Sequence, residues 1–259
     1  MPDLFLELRD DDEGAGFTPA PPLTEDAALD LLREADFTAA KLIPWGSNYT
    51  FAVGLECPDG REQLAIYKPR AGEAPLYDFP DGSLYRREVA SFALSRALGW
   101  RIVPPTVVRE DGPNGVGSLQ LYVEPTPDSP ELRRFWGSCA PEIERLVLFD
   151  HVANNADRKI GHCLRDPDGK VWGIDHGLTF SRQPKLRTVL WQFVGQPISP
   201  PLLADLRRLR LRSDEVGGEL ASFLDNGEIA ALWSRVDRML ETGHYPHLNP
   251  RRNVPYGWW

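Results

Sequence analysis

Short apolar runs separated by turn residues dominate the first half of the chain. Between residues 39 and 125 these runs are rich in β-branched and aromatic residues and end at Gly, Pro, Asn or Asp, which is typical of strands joined by tight turns. We predict strands within 39–56, 61–69, 101–110 and 117–125, the first of them interrupted by a turn at Gly46, Ser47 and Asn48.

Two helices accompany these strands. Residues 26–35 follow Thr24, a residue type that caps helix N-termini, and begin in acidic residues that the helix dipole favours there. In residues 83–99 apolar positions recur every three or four residues, and the last residue, Gly99, is of the type that commonly ends a helix.

The second half of the chain has helical periodicity instead. Helices are predicted at 141–155, 200–211, 214–225 and 226–243, with a short hairpin at 162–175. A Pro-rich stretch, 124–130, separates the two halves. The pattern therefore predicts an α+β chain with three parts: an acidic flexible segment (1–23), a lobe of small antiparallel sheet plus one long helix (24–126) and a mainly helical lobe (127–259).

Composition and charge narrow the class of protein. The chain has 259 residues, a net charge of −9 and a pI near 5.1, which argues against a protein that coats nucleic acid, because such binding needs many Lys and Arg. The N-terminus is acidic where a signal peptide would be basic, and no apolar run is long enough for a transmembrane segment. We therefore expect a cytoplasmic protein.

Ionisable residues crowd two loop segments of the second half. NNADRKIGHC, residues 154–163, carries Asp157, Arg158, Lys159 and His162 between two apolar runs, and GIDHG, residues 173–177, carries Asp175 after an apolar strand. Carboxylates bind hard divalent cations, and such a cation is often bound together with the phosphate groups of a substrate. Two acids at two loop ends therefore indicate a metal or phosphate site.

These segments resemble the protein-kinase-like superfamily. The pattern combines a strand lysine in AIYKP, a helix glutamate in YRREVAS, and the NNADRKIGH and GIDHG segments, and is most similar to the phosphatidylinositol 3- and 4-kinase-like branch and to HipA-like kinases over residues 40–182. The resemblance implies a bilobed fold, ATP with Mg²⁺ or Mn²⁺ as cofactors, and phosphoryl transfer to a hydroxyl acceptor.

In the first lobe the resemblance implies a nucleotide site. Lys68 would hold phosphates and pair with Glu88, Gly46, Ser47 and Asn48 would cover phosphates with backbone amides, and the segment Leu121, Tyr122 and Val123 would meet an adenine edge. Each position also has a structural interpretation: a solvated strand lysine, a plain hairpin turn and a buried edge strand.

In the second lobe the resemblance implies the chemistry. Asp157 would be the catalytic base, Lys159 would screen charge on the transferring phosphoryl group, and Arg158 would mainly hold the loop, for example by pairing with an acid. Both Lys68 and Lys159 belong to a set of only five lysines. The pair Asn154 and Asn155 fits plain turn chemistry equally well.

Asp175 corresponds to the metal-binding acid of the family, although an isolated acid there would fit a turn. His162 stands where the family has an asparagine ligand. Because imidazole suits Mn²⁺ better than Mg²⁺, His162 predicts altered metal preference, weakened catalysis, or a purely packing role. His176 is open to either a ligand or a structural interpretation.

Two functions from different classes remain open at this point. One is an ATP-dependent phosphotransferase acting on an inositol lipid, an inositol phosphate or protein Ser/Thr. The other is a nucleotide-binding pseudokinase that works as a regulatory or scaffolding module. A protein partner is compatible with both, and the terminal Trp258 and Trp259 are expected to dock on the chain itself or to serve a partner.

Overall fold

The structure, a computed structural model, describes residues 23–44 and 48–257. The described residues form two compact units. One takes in the chain up to Tyr85 together with Pro105–Tyr122, and the other takes in Arg86–Pro104 and the chain from Val123 onward. Most of the predicted flexible segment lies outside the described residues, and the predicted lobe boundary at residues 126–127 stays a prediction.

The first unit is built on a five-stranded antiparallel sheet. Its strands follow the order β1-β2-β3-β5-β4, and their bounds are β1 Phe37–Ile43, β2 Thr50–Glu56, β3 Glu62–Pro69, β4 Thr106–Gly112 and β5 Gly115–Leu121. Helix α1 (Glu25–Glu34) precedes the sheet. Thr24 caps this helix as predicted, accepting a 3.2 Å hydrogen bond from the Ala27 amide.

Two predicted strands are shorter than their apolar runs. The strand predicted from residue 101 begins only at Thr106, because Arg101 has a positive φ of 50° and Pro105 has no amide hydrogen to donate to a strand ladder. The last predicted strand ends at Leu121, ahead of the Pro-rich stretch. Helix α2 (Leu84–Ala97) agrees with its apolar spacing, and Gly99 follows it with a φ of 71°.

The second unit is mainly helical. Its helices are α3 Pro130–Trp136, α4 Pro141–Ala153, α5 Pro200–Leu211, α6 Ser213–Leu220 and α7 Asn226–Thr242, and its strands β6 Cys163–Arg165 and β7 Val171–Gly173 form a hairpin. Helix α4 is the centre of the core, since Leu146 and Phe149 are fully buried. The predicted α+β class is confirmed: the predicted small antiparallel sheet has five strands, and the part of the chain that follows it is mainly helical.

No helix among the described residues is long and apolar enough to cross a bilayer.

The pairing of β3 with β5, which carries Lys68, depends on a close approach at Gly117. Gly117 pairs with Pro69, and a Cβ added at Gly117 would lie 2.8 Å from the Pro69 Cα. We expect Gly117→Ala to lower the free energy of unfolding by about 1–3 kcal/mol, since the strands must separate. Urea unfolding measures this.

The matched control for this prediction is Gly218→Ala in helix α6. A Cβ there would meet nothing within 4 Å, and alanine is the better helix former, so the free energy of unfolding should rise by about 0.5–1 kcal/mol. Equal losses for both variants, or none for Gly117→Ala, would mean that β3 and β5 do not pair this closely.

Candidate active site

A left-handed residue ends helix α4 and starts the first ionisable loop. Asn154 has a φ of 54° and caps the helix. Its side-chain amide donates to the carbonyls of Ser181 at 2.9 Å and Gln183 at 2.7 Å, and its Oδ1 accepts from the Lys185 amide at 2.9 Å. Asn154 therefore fastens the loop to the segment that follows the GIDHG motif.

Asn155 fixes the backbone of Asp157. Its side chain is fully buried, its Oδ1 accepts from the Asp157 amide at 2.9 Å, and its Nδ2 donates to the Asp150 Oδ1 at 2.9 Å. Asn154 and Asn155 therefore form a turn, and this turn sets the position of the predicted catalytic base, Asp157.

The Arg158 side chain connects helix α4 with both ionisable loops. Its guanidinium is fully buried and donates to both carboxylate oxygens of Asp150, through Nε at 2.8 Å and Nη2 at 2.9 Å. Nη1 donates to the carbonyls of His162 at 2.8 Å and Ile174 at 3.0 Å. A planar fork of five donors can thus fix helix α4, the first ionisable loop and the residue before Asp175 at once.

Arg158 also determines that the His176 Nε2 is a hydrogen-bond acceptor. The Nη2 group lies 2.7 Å from the His176 Nε2, and because a guanidinium only donates, the His176 Nε2 accepts. His176 is fully buried and packs edge-on against Phe149. The structure therefore places His176 among the supports of the loop, away from a ligand position.

Asp157, His162 and Asp175 come together at the surface of this framework. Each offers one ligand atom, and the three atoms lie within 4.8 Å of one another. The His162 Nε2 lies 3.2 Å from the Asp175 Oδ2. Two carboxylates and an imidazole at this spacing are a chemically suitable donor set for a divalent cation.

The hydrogen bond of His162 decides which of its nitrogens faces Asp175. The Nδ1 lies 2.9 Å from the Asp157 carbonyl oxygen, and because a carbonyl only accepts, Nδ1 carries a proton. In the neutral ring the Nε2 lone pair then faces the Asp175 carboxylate. A cation between them would relieve that opposition, and a ring nitrogen held by a backbone carbonyl is the usual arrangement of a metal-bound histidine.

The Asp157 carboxyl is mostly buried and lies 2.9 Å from the Lys159 ammonium. Burial raises the pKa of Asp157 above its ordinary value, while the ammonium opposes that rise. The partly exposed Lys159 therefore neutralises Asp157, and its predicted role beside a transferring phosphoryl group stays a prediction.

Glu88 holds the turn that presents Asp175. Its Oε2 accepts from the His176 amide at 2.8 Å, and the Glu88 side chain is buried. Asp175 itself has a φ of 59°, a left-handed backbone that costs energy for a residue with a side chain. The contact therefore gives Glu88 a structural task, and its predicted pairing with Lys68 stays a prediction.

The predicted nucleotide residues of the first unit are only partly described. Gly46 and Ser47 lie outside the described residues. The Asn48 Oδ1 accepts a hydrogen bond from the Ala74 amide at 2.7 Å, and Lys68 lies in β3 opposite Ser118. The Leu121 amide donates to the Pro105 carbonyl, and the Tyr122 amide donates to the Leu64 carbonyl. Those two amides are therefore occupied, and the nucleotide roles stay predictions.

Sequence reasoning missed Asp150 and the supporting role of His176. A signal for Asp150 was available: it interrupts the apolar face of a helix whose neighbouring residues are all buried. A single acid in such a run needs a buried cationic partner, and Arg158 follows eight residues later.

The architecture is that of the protein-kinase-like fold. The structure of hydra Fam20 with sugar aligns with a TM-score of 0.53 at 16% identity, over 84% of this chain and 88% of that chain. The Golgi casein kinase with Mn/ADP bound aligns with a TM-score of 0.53 at 15% identity, over 87% of this chain and 80% of that chain. At such identities the likeness concerns the fold.

Relatives at the sequence level place the chain in a family. It belongs to the family of the Mycobacterium tuberculosis protein Rv2133c, with which it is 36% identical over an alignment of 295 positions that covers 98% of this chain and 97% of that protein. A phosphatidylinositol 4-kinase gamma 4 of rice is 27% identical over an alignment of 185 positions that covers 54% of this chain and 31% of that protein. No protein-family model matches the chain. Placement in the phosphatidylinositol 3-/4-kinase-like branch stays a prediction.

The buried ion pair should dominate the stability of the second unit. We expect Arg158→Ala to lower the free energy of unfolding by about 3–5 kcal/mol, because Asp150 would be left as an uncompensated buried charge. Urea unfolding followed by tryptophan fluorescence measures the loss.

Arg134→Ala is the control. Arg134 also pairs with an acid, Glu131, but both side chains are about 70% exposed, so the loss should stay below about 1 kcal/mol. Comparable losses for the two arginines would contradict the central position of Arg158.

Proposed function

We propose that the chain is an ATP-dependent phosphotransferase that moves the γ-phosphoryl group of ATP to a hydroxyl acceptor. The observation that carries this proposal is the cluster of Asp157, His162 and Asp175, fixed by buried contacts of Arg158 and Asn155. The fold supports it, as do the printed names of similar proteins, a casein kinase with Mn/ADP bound and a phosphatidylinositol 4-kinase.

In the proposed reaction the acceptor oxygen forms a bond to the γ-phosphorus while the bond from that phosphorus to the β,γ-bridging oxygen breaks, releasing ADP. Asp157 accepts the hydroxyl proton, and Lys159 stabilises charge on the phosphoryl oxygens. Lys68 and Glu88 would position the nucleotide phosphates. Asp175 and His162 would hold a divalent cation, which when bound would neutralise phosphate charge.

The donor set favours Mn²⁺ over Mg²⁺. Mg²⁺ prefers hard oxygen ligands in near-octahedral geometry, whereas imidazole nitrogen is a better ligand for softer divalent ions. The proton of the neutral His162 ring is on Nδ1, and Nε2 faces Asp175, so the Nε2 lone pair is available to a cation there. We therefore propose Mn²⁺ as the preferred cation.

The rival function is nucleotide binding without transfer. The ion pair between Lys159 and Asp157 favours it, since an ammonium 2.9 Å from the carboxylate lowers its capacity to accept a proton. ADP formation in the presence of Mn²⁺ and a panel of hydroxyl acceptors separates the two functions, with nucleotide binding measured in parallel.

Asp157→Asn tests the base. We expect this variant to lose phosphoryl transfer by about 100-fold or more, because the amide cannot accept the proton, while the melting temperature changes little. Asp168→Asn, the same change at an exposed hairpin position, is the control and should transfer normally. Equal rates for the wild type and Asp157→Asn would exclude Asp157 as the base.

His162→Asn tests the metal preference without relying on turnover. Titration of Mn²⁺ followed by electron paramagnetic resonance, with Mg²⁺ as competitor, should show Mn²⁺ affinity lowered about tenfold and Mg²⁺ competing better, because a hard oxygen replaces the imidazole. His244→Asn, at an exposed histidine, is the control. Unchanged Mn²⁺ affinity in His162→Asn would remove His162 from the ligand set.

A further inference from the structure

Two stretches of this acidic chain lack acidic residues and therefore carry a net positive charge. Although the protein has 38 acidic residues, residues 176–204 and 242–259 contain neither Asp nor Glu. They contain five cations instead: Arg182, Lys185, Arg187, Arg251 and Arg252. A local excess of cations on a protein of net charge −9 marks a surface suited to an anionic ligand.

The first of these stretches runs directly beside the predicted catalytic base. The Arg187 amide donates to the Asn155 carbonyl at 2.9 Å, the Arg158 amide donates to the Arg187 carbonyl at 3.0 Å, and the Val189 amide donates to the Arg158 carbonyl at 3.1 Å. Arg158 and Thr188 thereby form a parallel β-bridge.

This pairing fixes the direction of the neighbouring side chains. In an extended pair successive side chains point to opposite faces. Arg158 and Thr188 are buried, so Asp157 and Arg187 emerge together on the outer face, on backbones that the general strand spacing puts about 4.8 Å apart. Burial alternates from residue 185 to 190, which turns Lys185 to the same outer face as Arg187.

The end of the chain holds the Arg187 side chain in place. The Asn253 side chain donates to the Leu186 carbonyl at 2.6 Å, and the Thr188 amide donates to the Asn253 carbonyl at 3.0 Å. The Arg187 guanidinium then stacks over the exposed Tyr256 ring, 4.7 Å from its centroid. A stacked guanidinium keeps its edge donors available for a carboxylate or phosphate.

Arg187 is separate from the metal cluster. The Asp157 carboxyl is paired with the Lys159 ammonium at 2.9 Å, whereas the Arg187 guanidinium lies over the Tyr256 ring. Arg187 can therefore contact a part of the substrate other than the acceptor hydroxyl.

We propose that this outer face, Lys185, Arg187 and Tyr256 beside Asp157, binds acidic side chains of a polypeptide acceptor and so presents a neighbouring Ser or Thr to Asp157. The inference rests on the proposed function and names its substrate class. A polypeptide fits best because the two cations lie two residues apart on an extended segment. That spacing of about 7 Å matches carboxylates on alternate residues of an extended peptide.

A binding experiment tests the proposal without turnover. Fluorescein-labelled peptides of alternating Ser and Glu, Ser and Gln, and Ser and Lys are titrated with the full-length protein and followed by anisotropy. The wild type should bind the Ser-Glu peptide at least about tenfold more tightly than the Ser-Gln peptide, with affinity falling as salt rises.

Variants assign the effect to this face. Arg187→Ala should lower the affinity for the Ser-Glu peptide about tenfold, Tyr256→Ala should lower it less, and Arg187→Glu should make the Ser-Lys peptide the better ligand. Arg207→Ala, at an exposed arginine of helix α5, is the matched control and should bind like the wild type. Melting temperatures identify any variant that is misfolded.

The inference is overturned if the wild type does not discriminate among the peptides, or if Arg187→Glu leaves the preference unchanged. It is also overturned if inositol phosphates, and not the peptides, bind in a manner that depends on Arg187. Arg187-dependent peptide binding with no phosphoryl transfer would contradict the proposed function alone, while transfer to neutral acceptors without discrimination would contradict this inference alone.

Discussion

The buried guanidinium of Arg158 determines where the acids of the site can lie. Its fork is used on one side by Asp150 of helix α4 and on the other by the carbonyls of His162 and Ile174. A charge this deeply buried is costly unless it is paired and fully hydrogen-bonded. The residues around it therefore have little freedom to rearrange. Asp157 and Asp175 are held in place as well, because Asp157 precedes Arg158 and Asp175 follows Ile174 in the chain.

Further hydrogen bonds orient the three residues of the cluster. Asn155 orients the Asp157 backbone, Glu88 holds the turn of Asp175, and the Asp157 carbonyl fixes the proton of His162. The outcome is a cluster whose carboxylates face one another with a ring nitrogen close by. Such a cluster could hold a cation, while the stretch beside it, residues 176–204, has three cations and no acidic residue.

Sequence reasoning identified the residues of the cluster but missed much of what holds them. The fold class followed from periodicity, and the loop acids followed from charge placed between apolar runs. The hydrogen bonds of Arg158 and the position of His176 depend on contacts among helix α4, the loop and the later turn. No local pattern encodes such contacts, because they join residues whose separation along the chain is unrelated to their distance in space. The strand predicted from residue 101 was too long for a local reason: its apolar content was correct, but Pro105 and the positive φ of Arg101 decided the backbone.

Diffraction from crystals grown with Mn²⁺, collected at the manganese absorption edge, tests the account most directly. We predict one anomalous peak within bonding distance of the His162 Nε2 and of a carboxylate oxygen of Asp175, with the His162 Nδ1 still bonded to the Asp157 carbonyl. A manganese ion bound elsewhere, or a His162 ring turned away from Asp175 when the ion is bound, would contradict it.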